Sequence, residues 1–137
     1  MISIVFLFSA GCGGSPTAPP IEEDFINIIS VTPNSGLIDG LVTNFKVVVE
    51  YNLFSYATGE LYIAFGVRFD TDAGHLVVTN ATHSIKKGYR THEFNVTVKP
   101  KYWGNEGDFS VLVCIDEVPE FDYILLDCDG EILTFKQ

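Results

Sequence analysis

Apolar and polar residues alternate along most of the chain from Phe25 onward, in segments separated by turn residues such as those at 57–59 and 86–88. Such alternation is typical of β-strands that have one buried side and one side facing solvent. The strongest segments predict strands at 45–53, 61–69, 94–98 and 109–115. Weaker segments predict strands at 26–32, 75–79 and 132–136. No segment has the period of an amphipathic helix, so we expect an all-β protein of about seven strands.

The buried sides of the four strongest strands predict the core. Its expected members are Phe45, Val47, Val49, Ile63, Phe65, Val67, Phe94, Val96, Val98, Phe109, Val111 and Val113. The opposite sides are apolar at Tyr62 and Leu112, which predicts an interaction surface there. Alternatively, the apolar segment 118–126 folds back over that face, and the pattern does not choose between the two.

The segment Ile29–Gly36, with the sequence ISVTPNSG, is followed by Gly40 and a long alternating strand. This start resembles that of bacterial immunoglobulin-like repeats of the TIG type. The later part has a Lys-Gly turn, a strand that ends at Pro100 and a strand that begins at Asp108, similar to fibronectin-III-like modules. The resemblance implies an immunoglobulin-like β-sandwich of about seven strands in two antiparallel sheets, covering residues 25–137.

The N-terminal residues 2–10 form an apolar run that is shorter than the ~20 residues needed to span a membrane as a helix. The run ends in Ser-Ala-Gly-Cys at Cys12, and a Gly-, Ser- and Pro-rich stretch follows. This arrangement resembles the signal of bacterial lipoproteins. The resemblance implies a signal segment at 1–11 and a lipid on Cys12 at the start of a flexible tether over 12–24.

Such a lipid makes the membrane a partner and places the domain in the bacterial cell envelope, outside the cytoplasm. Because Gly13 follows the cysteine, the resemblance implies an outer-membrane destination in a host with two membranes. Two alternatives stay open: an ordinary cleaved secretion signal, and an apolar N-terminal strand of a soluble protein.

The composition changes this picture in two ways. With 137 residues, 47% of them hydrophobic and 19% charged, the chain has room for one domain and enough apolar surface to fold. Eight Lys and Arg residues against 18 Asp and Glu residues give a net charge of -10. Because such a charge repels a phosphate backbone, we expect no nucleic-acid partner.

Two cysteines remain once Cys12 is assigned to the lipid. An even pair in an oxidising compartment predicts a disulfide between Cys114 and Cys128, with two free thiols as the alternative. Asp129-Gly130 predicts a two-residue hairpin that pairs 123–128 with 131–136. If 123–128 also paired with the strand from Phe109 through a tight turn, Cys114 would face about Leu125, so the disulfide needs a bulge or a wide loop.

Candidate ligand chemistry is limited to aromatic and acidic residues. Tyr102 and Trp103, next to Gly104, predict a platform on which sugar rings stack, although aromatics at strand ends more often cover a core. Acidic residues near turns, among them Asp116 and Glu117, offer oxygen ligands for calcium. Turn chemistry and solubility explain most such residues, so we predict no metal site.

Nothing in the sequence predicts catalysis. The histidines share no common spacing, and no nucleophile motif such as G-x-S-x-G occurs. We therefore predict no enzyme and no cofactor. The sequence favours a lipid-anchored module that acts in protein interaction, adhesion or envelope structure, with a carbohydrate-binding module that uses the aromatics around Trp103 as the alternative.

Overall fold

The structure is a computed structural model that describes residues 21–67, 77–117 and 124–137. The described residues form five antiparallel strands and one turn of 3-10 helix. The strands are β1 (Phe25–Thr32), β2 (Thr43–Val67), β3 (Val77–Val98), β4 (Phe109–Glu117) and β5 (Ile124–Ile132), and the 3-10 turn is Gly104–Glu106. The predicted all-β class is confirmed. No helix in the described ranges has the length and apolar character required to cross a membrane.

The core follows the predicted rows. Every predicted core side chain is buried, and the largest exposed fraction among them is 9%, at Val96. Phe45 and Phe65 meet at the centre with ring centroids 4.9 Å apart, and Phe109 stacks 6.3 Å from Phe65. Alternation alone therefore identified which side of each strand is buried.

Two of the predicted turns lie inside strands. Ala57–Gly59 and Lys86–Gly88 were expected to separate strands, but β2 and β3 run through them as one long ribbon. Leu53 pairs with Gly88 and Thr58 pairs with Lys86, so four residues of β2 stand opposite one residue of β3. The extra residues bend both strands at the same level, which is why five long strands replace the predicted seven short ones.

The bend curls the sheet around the core. Before it, β2 lies between β1 and the second half of β3; after it, β2 lies between the first half of β3 and β4, with β5 on the far side of β4. The curl brings β1 beside β5. The backbone amides of Ile26 and Ile28 donate to the carboxylates of Asp127 and Asp129, at 3.0 and 2.8 Å. Side chains thus satisfy the edge of β1 at which none of the described strands pairs with it.

The predicted hairpin at Asp129-Gly130 is wrong. β5 continues through both residues and pairs with β4, in a register that sets Cys114 opposite Cys128. Their sulfur atoms lie 2.11 Å apart, as in the predicted disulfide. A register shift at Ile115 supplies the bulge that this pairing requires. Of the predicted strand 132–136, only the single bridge from Phe135 to Leu37 forms outside β5.

The chain enters the domain at the bend. The side-chain amide of Asn52 donates to the carbonyls of Ile21 and Glu23, at 2.9 and 2.7 Å. The Asp24 carboxylate accepts from the backbone amides of Phe54 and Ser55 and from the Ser55 hydroxyl. Burial by itself would raise the pKa of Asp24, but these hydrogen bonds outweigh it and hold the pKa below its usual value. Residues 21–24, predicted as tether, are therefore attached to β2, whereas the predicted signal and Cys12 lie outside the described residues.

Candidate binding groove

A groove of about 660 Å³ lies at the end of the domain opposite the bend. The strand ends meet here, because Thr43 pairs with Val98 and Val67 pairs with Phe109. Three segments form the walls: the residues after β1, the residues before β4 and the C-terminal residues after β5. Their side chains in the groove include Ile38, Asp39, Tyr102, Asp108, Phe135 and Lys136.

Backbone hydrogen bonds hold these walls together. Leu37 donates to the carbonyl of Thr134 at 3.1 Å, and Lys136 donates back to the carbonyl of Leu37 at 2.8 Å. The Asp39 carboxylate accepts from the backbone amide of Tyr102 at 2.7 Å, which joins the first wall to the second. Two of these contacts join backbone groups, and the third joins a side chain to the backbone. Because the chain itself makes all three, we infer that the groove is preformed.

Gly107 lets the second wall turn towards β4. Its φ of 153° lies in a region that side chains rarely adopt, and a Cβ there would collide with Val67. We infer that glycine is required at this position for the groove to keep its shape.

Tyr102 presents the most exposed aromatic ring of the groove, with 63% of the residue accessible. Its ring meets Phe135 edge to face at 5.4 Å, and Phe135 contacts Phe109 at 5.8 Å. Trp103 is half-buried and lies over Phe109 at 6.2 Å, as part of the core margin. The predicted pair is therefore divided: Tyr102 faces the groove, and Trp103 packs against the core.

The groove combines apolar and polar groups. Ile38 and Ile132 expose apolar surface in it, while Asp39, Asp108 and Lys136 bring charge. A mixture of this kind suits a ligand that has both flat apolar faces and hydrogen-bonding groups. Apart from Tyr102, the sequence predicted none of these residues for a binding groove, because they come from three distant segments that only the strand ends bring together.

The predicted surface around Tyr62 and Leu112 lies elsewhere, on the outward face of β2 and β4. Tyr62 pairs with Cys114 and Leu112 pairs with Ala64, so the two residues share a face as expected. Both are half-buried, Ala64 between them is fully buried and Cys114 is 3% exposed. This face offers little free area for a partner. Of the segment predicted to cover it, residues 118–123 lie outside the described part of the chain.

The same face carries a pair of acidic residues. Glu60 and Asp116 are directly opposed on β2 and β4. Asp116 is 9% exposed, and its Oδ1 atom has no hydrogen-bond partner among the described residues. Burial and the nearby Glu60 raise the pKa of Asp116 to about 6, and burial together with Asp116 raises the pKa of Tyr62. The sequence did not signal this pair, because its members are far apart along the chain.

Two histidines meet at the edge formed by β3. The bend brings His83 and His92 into a parallel stack with ring centroids 3.9 Å apart, and Phe94 meets His92 edge to face at 4.6 Å. Burial and the neighbouring His83 lower the pKa of His92, although the charge of Glu93 opposes them. Within the described ranges, no three metal-ligating side chains converge.

Comparisons with protein-family models, with curated proteins and with solved structures gave no match to this chain.

Proposed function

We propose that this protein is an extracytoplasmic binding module that a lipid on Cys12 holds at the bacterial envelope, and that it has no catalytic role or cofactor. Its task is interaction, adhesion or envelope structure, and its partner binds in the groove beside Tyr102. The observation that carries this proposal is the position of the groove, which lies at the end of the domain opposite the point where the chain enters.

The arrangement separates the anchor from the partner. The first half of β2, from Thr43 to Leu53, joins the groove end to the bend, a distance of roughly 35 Å at the usual rise per residue. Residues 12–20, predicted as tether, precede the attached residues 21–24. A lipid at Cys12 would therefore leave the groove facing away from the membrane.

We also propose an immunoglobulin-like arrangement of two facing sheets. The bend in β2 and β3 supports it, because it carries both strands from one side of the core to the other. The stacked histidines lie where β3 folds towards itself, and the carboxylates of β5 satisfy the opposite edge at β1.

A capture experiment tests the binding role. The full chain and its Tyr102→Ala variant are used to pull partners from envelope extracts, with Tyr89→Ala as a matched control. Tyr89 is also exposed, at 48%, but lies beside Glu50 and Phe25, away from the groove. We expect Tyr102→Ala to lose a partner that Tyr89→Ala retains. Equal capture by all three proteins would reject the groove as the binding surface.

A saccharide is the second candidate ligand, and the exposed ring of Tyr102 favours it. Sugar rings stack on flat aromatic faces while their hydroxyls bond to carboxylates, and Asp39 and Asp108 lie in the same groove. Glycan-array binding that disappears in Tyr102→Ala would support this candidate. Because Trp103 packs on Phe109, we expect Trp103→Ala to lower the melting temperature, which makes Tyr102 the cleaner test.

The lipid anchor has its own test. Mass spectrometry of protein from its native host should find diacylglycerol mass on Cys12 at the mature N-terminus. An unmodified Met1 in that material would exclude the anchor.

A further inference from the structure

We propose that the opposed carboxylates of Glu60 and Asp116 bind a single calcium ion on the outward face of β2 and β4. The site is independent of the groove, because these residues lie towards the bend and contribute nothing to the groove walls. Its failure would leave the proposed binding function untouched.

The strand geometry brings the two carboxylates together. Glu60 and Asp116 are register partners, and side chains directly opposed on antiparallel strands start about 5 Å apart. Two short acidic side chains in this position can contact one ion, since calcium takes oxygen ligands at about 2.3–2.6 Å.

The described residues leave one oxygen of the buried Asp116 carboxylate without a hydrogen-bond donor. Among the described residues, its Oδ1 is the one buried side-chain oxygen or nitrogen without a hydrogen-bond partner. Native proteins satisfy most such atoms, and an exception points to a bound water or ion. Neither carboxylate forms an ion pair with a described residue. The salt bridge found among the described residues joins Lys46 to Glu93 instead.

The electrostatics favour a cation over an empty site. Asp116 is 9% exposed and the half-buried Glu60 lies directly opposite it, so two ionised carboxylates here repel each other with little water to screen them. A divalent ion would remove the repulsion and coordinate the free oxygen.

Calcium fits this site better than other metals. The donors are oxygens, which exclude the softer metals that prefer sulfur or imidazole. Calcium accepts irregular coordination completed by water and carbonyls, whereas magnesium requires a nearly ideal octahedron. With two protein carboxylates, we expect a dissociation constant on the order of 10⁻⁴–10⁻³ M, the range of extracellular calcium modules.

The test is a calcium titration of the purified full chain at pH 7.5. Calorimetry measures binding, and thermal melting measures the change in stability. The variants are Asp116→Asn and Glu60→Gln, and the control is Glu50→Gln, another carboxylate of β2, which bonds to Tyr89. We expect saturable binding and a rise in melting temperature in the parent and in the control. Both site variants should weaken binding at least tenfold.

Three outcomes would overturn the proposal. The first is no calcium response of the parent protein up to 10 mM, on the order of ten times the weakest expected constant. The second is a response that both site variants retain in full, which would place the ion elsewhere. The third is an equal response to magnesium, which would mean general charge screening. Glu60 is only half-buried, so Glu60→Gln keeps the test valid even if Asp116→Asn does not fold.

Discussion

The bend divides the ribbon of β2 and β3 into two halves. The inward faces of the two halves resemble each other in burial, whereas their outward faces differ. On β2, inward side chains are buried in both halves, as Phe45 shows before the bend and Phe65 after it. Among the outward side chains of the first half, Lys46 and Glu93 are exposed and form an ion pair at 3.7 Å. In the second half the outward Ala64 is fully buried.

The difference shows what alternation encodes. An apolar inward row requires one register, because a slip by one residue would turn that row out to solvent. The outward row carries no such requirement, so its chemistry varies with what lies against it. In the described residues, the second half of β2 pairs with β4, whose outward row carries the disulfide at Cys114 and the buried carboxyl of Asp116. Each of the following predictions tests one side of this comparison.

The largest effect should come from the shared inward side. Phe45→Ala and Phe65→Ala each remove a buried ring, and the cavity should lower the free energy of unfolding by about 3–5 kcal/mol. Urea unfolding measures both, with the exposed outward Thr97→Ala as the control, for which we expect less than about 0.5 kcal/mol. A loss at Phe65 much smaller than at Phe45 would mean that the halves do not share one core.

The next effect is confined to the second half. Replacing both Cys114 and Cys128 with Ala removes the link across β4 and β5, and should lower the free energy of unfolding by about 3 kcal/mol, as the loop-closure model gives for a ring of this size. Alanine avoids placing a hydroxyl at the buried Cys114 position. Chemical reduction of the parent protein should cause a similar loss. Unchanged stability in both experiments would contradict a structural role for the bond.

Asp116→Asn should stabilise the protein in the presence of EDTA. The folded pKa of about 6 lies above the unfolded value near 3.8, so folding gains from protonation at low pH and loses that gain as pH rises from about 4 to 6. At pH 7 the asparagine variant should be more stable by roughly 1–3 kcal/mol. Urea unfolding at pH 4, 5.5 and 7 measures this.

The matched control for Asp116→Asn is Glu93→Gln on the exposed outward row of the first half, for which we expect a change within about 0.5 kcal/mol. If the asparagine variant and the parent protein had parallel pH profiles, Asp116 would not titrate as a buried group.

The smallest effect lies where the halves meet. The pKa of His92 is lowered in the folded state, so stability is complete above the unfolded value near 6.5 and declines as pH falls below it. His92→Gln should reduce this decline, and His83→Gln should reduce it in part by removing the stacked partner. Melting temperatures at pH 7.5 and 5.5 measure the change. An undiminished decline in both variants would exclude the histidine stack as its cause.

Turn signals were the least reliable part of the sequence. Ala57–Gly59 and Lys86–Gly88 have the composition of loops, yet they face each other at the bulge that bends one ribbon. Asp129-Gly130 has the composition of a tight hairpin, but β5 passes through it, because pairing with β4 sets Val113 opposite Asp129 and Cys114 opposite Cys128. The conformational preference of a residue for a turn or a strand amounts to about 1 kcal/mol, and the free energy gained from strand pairing and packing exceeds it.

The groove could be predicted only in part. Tyr102 was a candidate because aromatic residues near a glycine are visible in any sequence. Asp39 and Phe135 had no such signal, since their role depends on the meeting of chain segments far apart in sequence. The exposure of Tyr102 and the burial of Trp103, neighbours of similar chemistry, followed from which of them packs on Phe109.

By itself the sequence determined the strand class, the inward rows such as Phe45, Val47 and Val49, and the cysteine pair, because period-two burial and paired cysteines are local or compositional signals. The tertiary structure alone decided the bend, the closure of the β1 edge by Asp127, and the facing of Glu60 with Asp116. These features depend on which strands become neighbours, and that choice minimises the free energy of the whole curled sheet, a quantity no single segment contains.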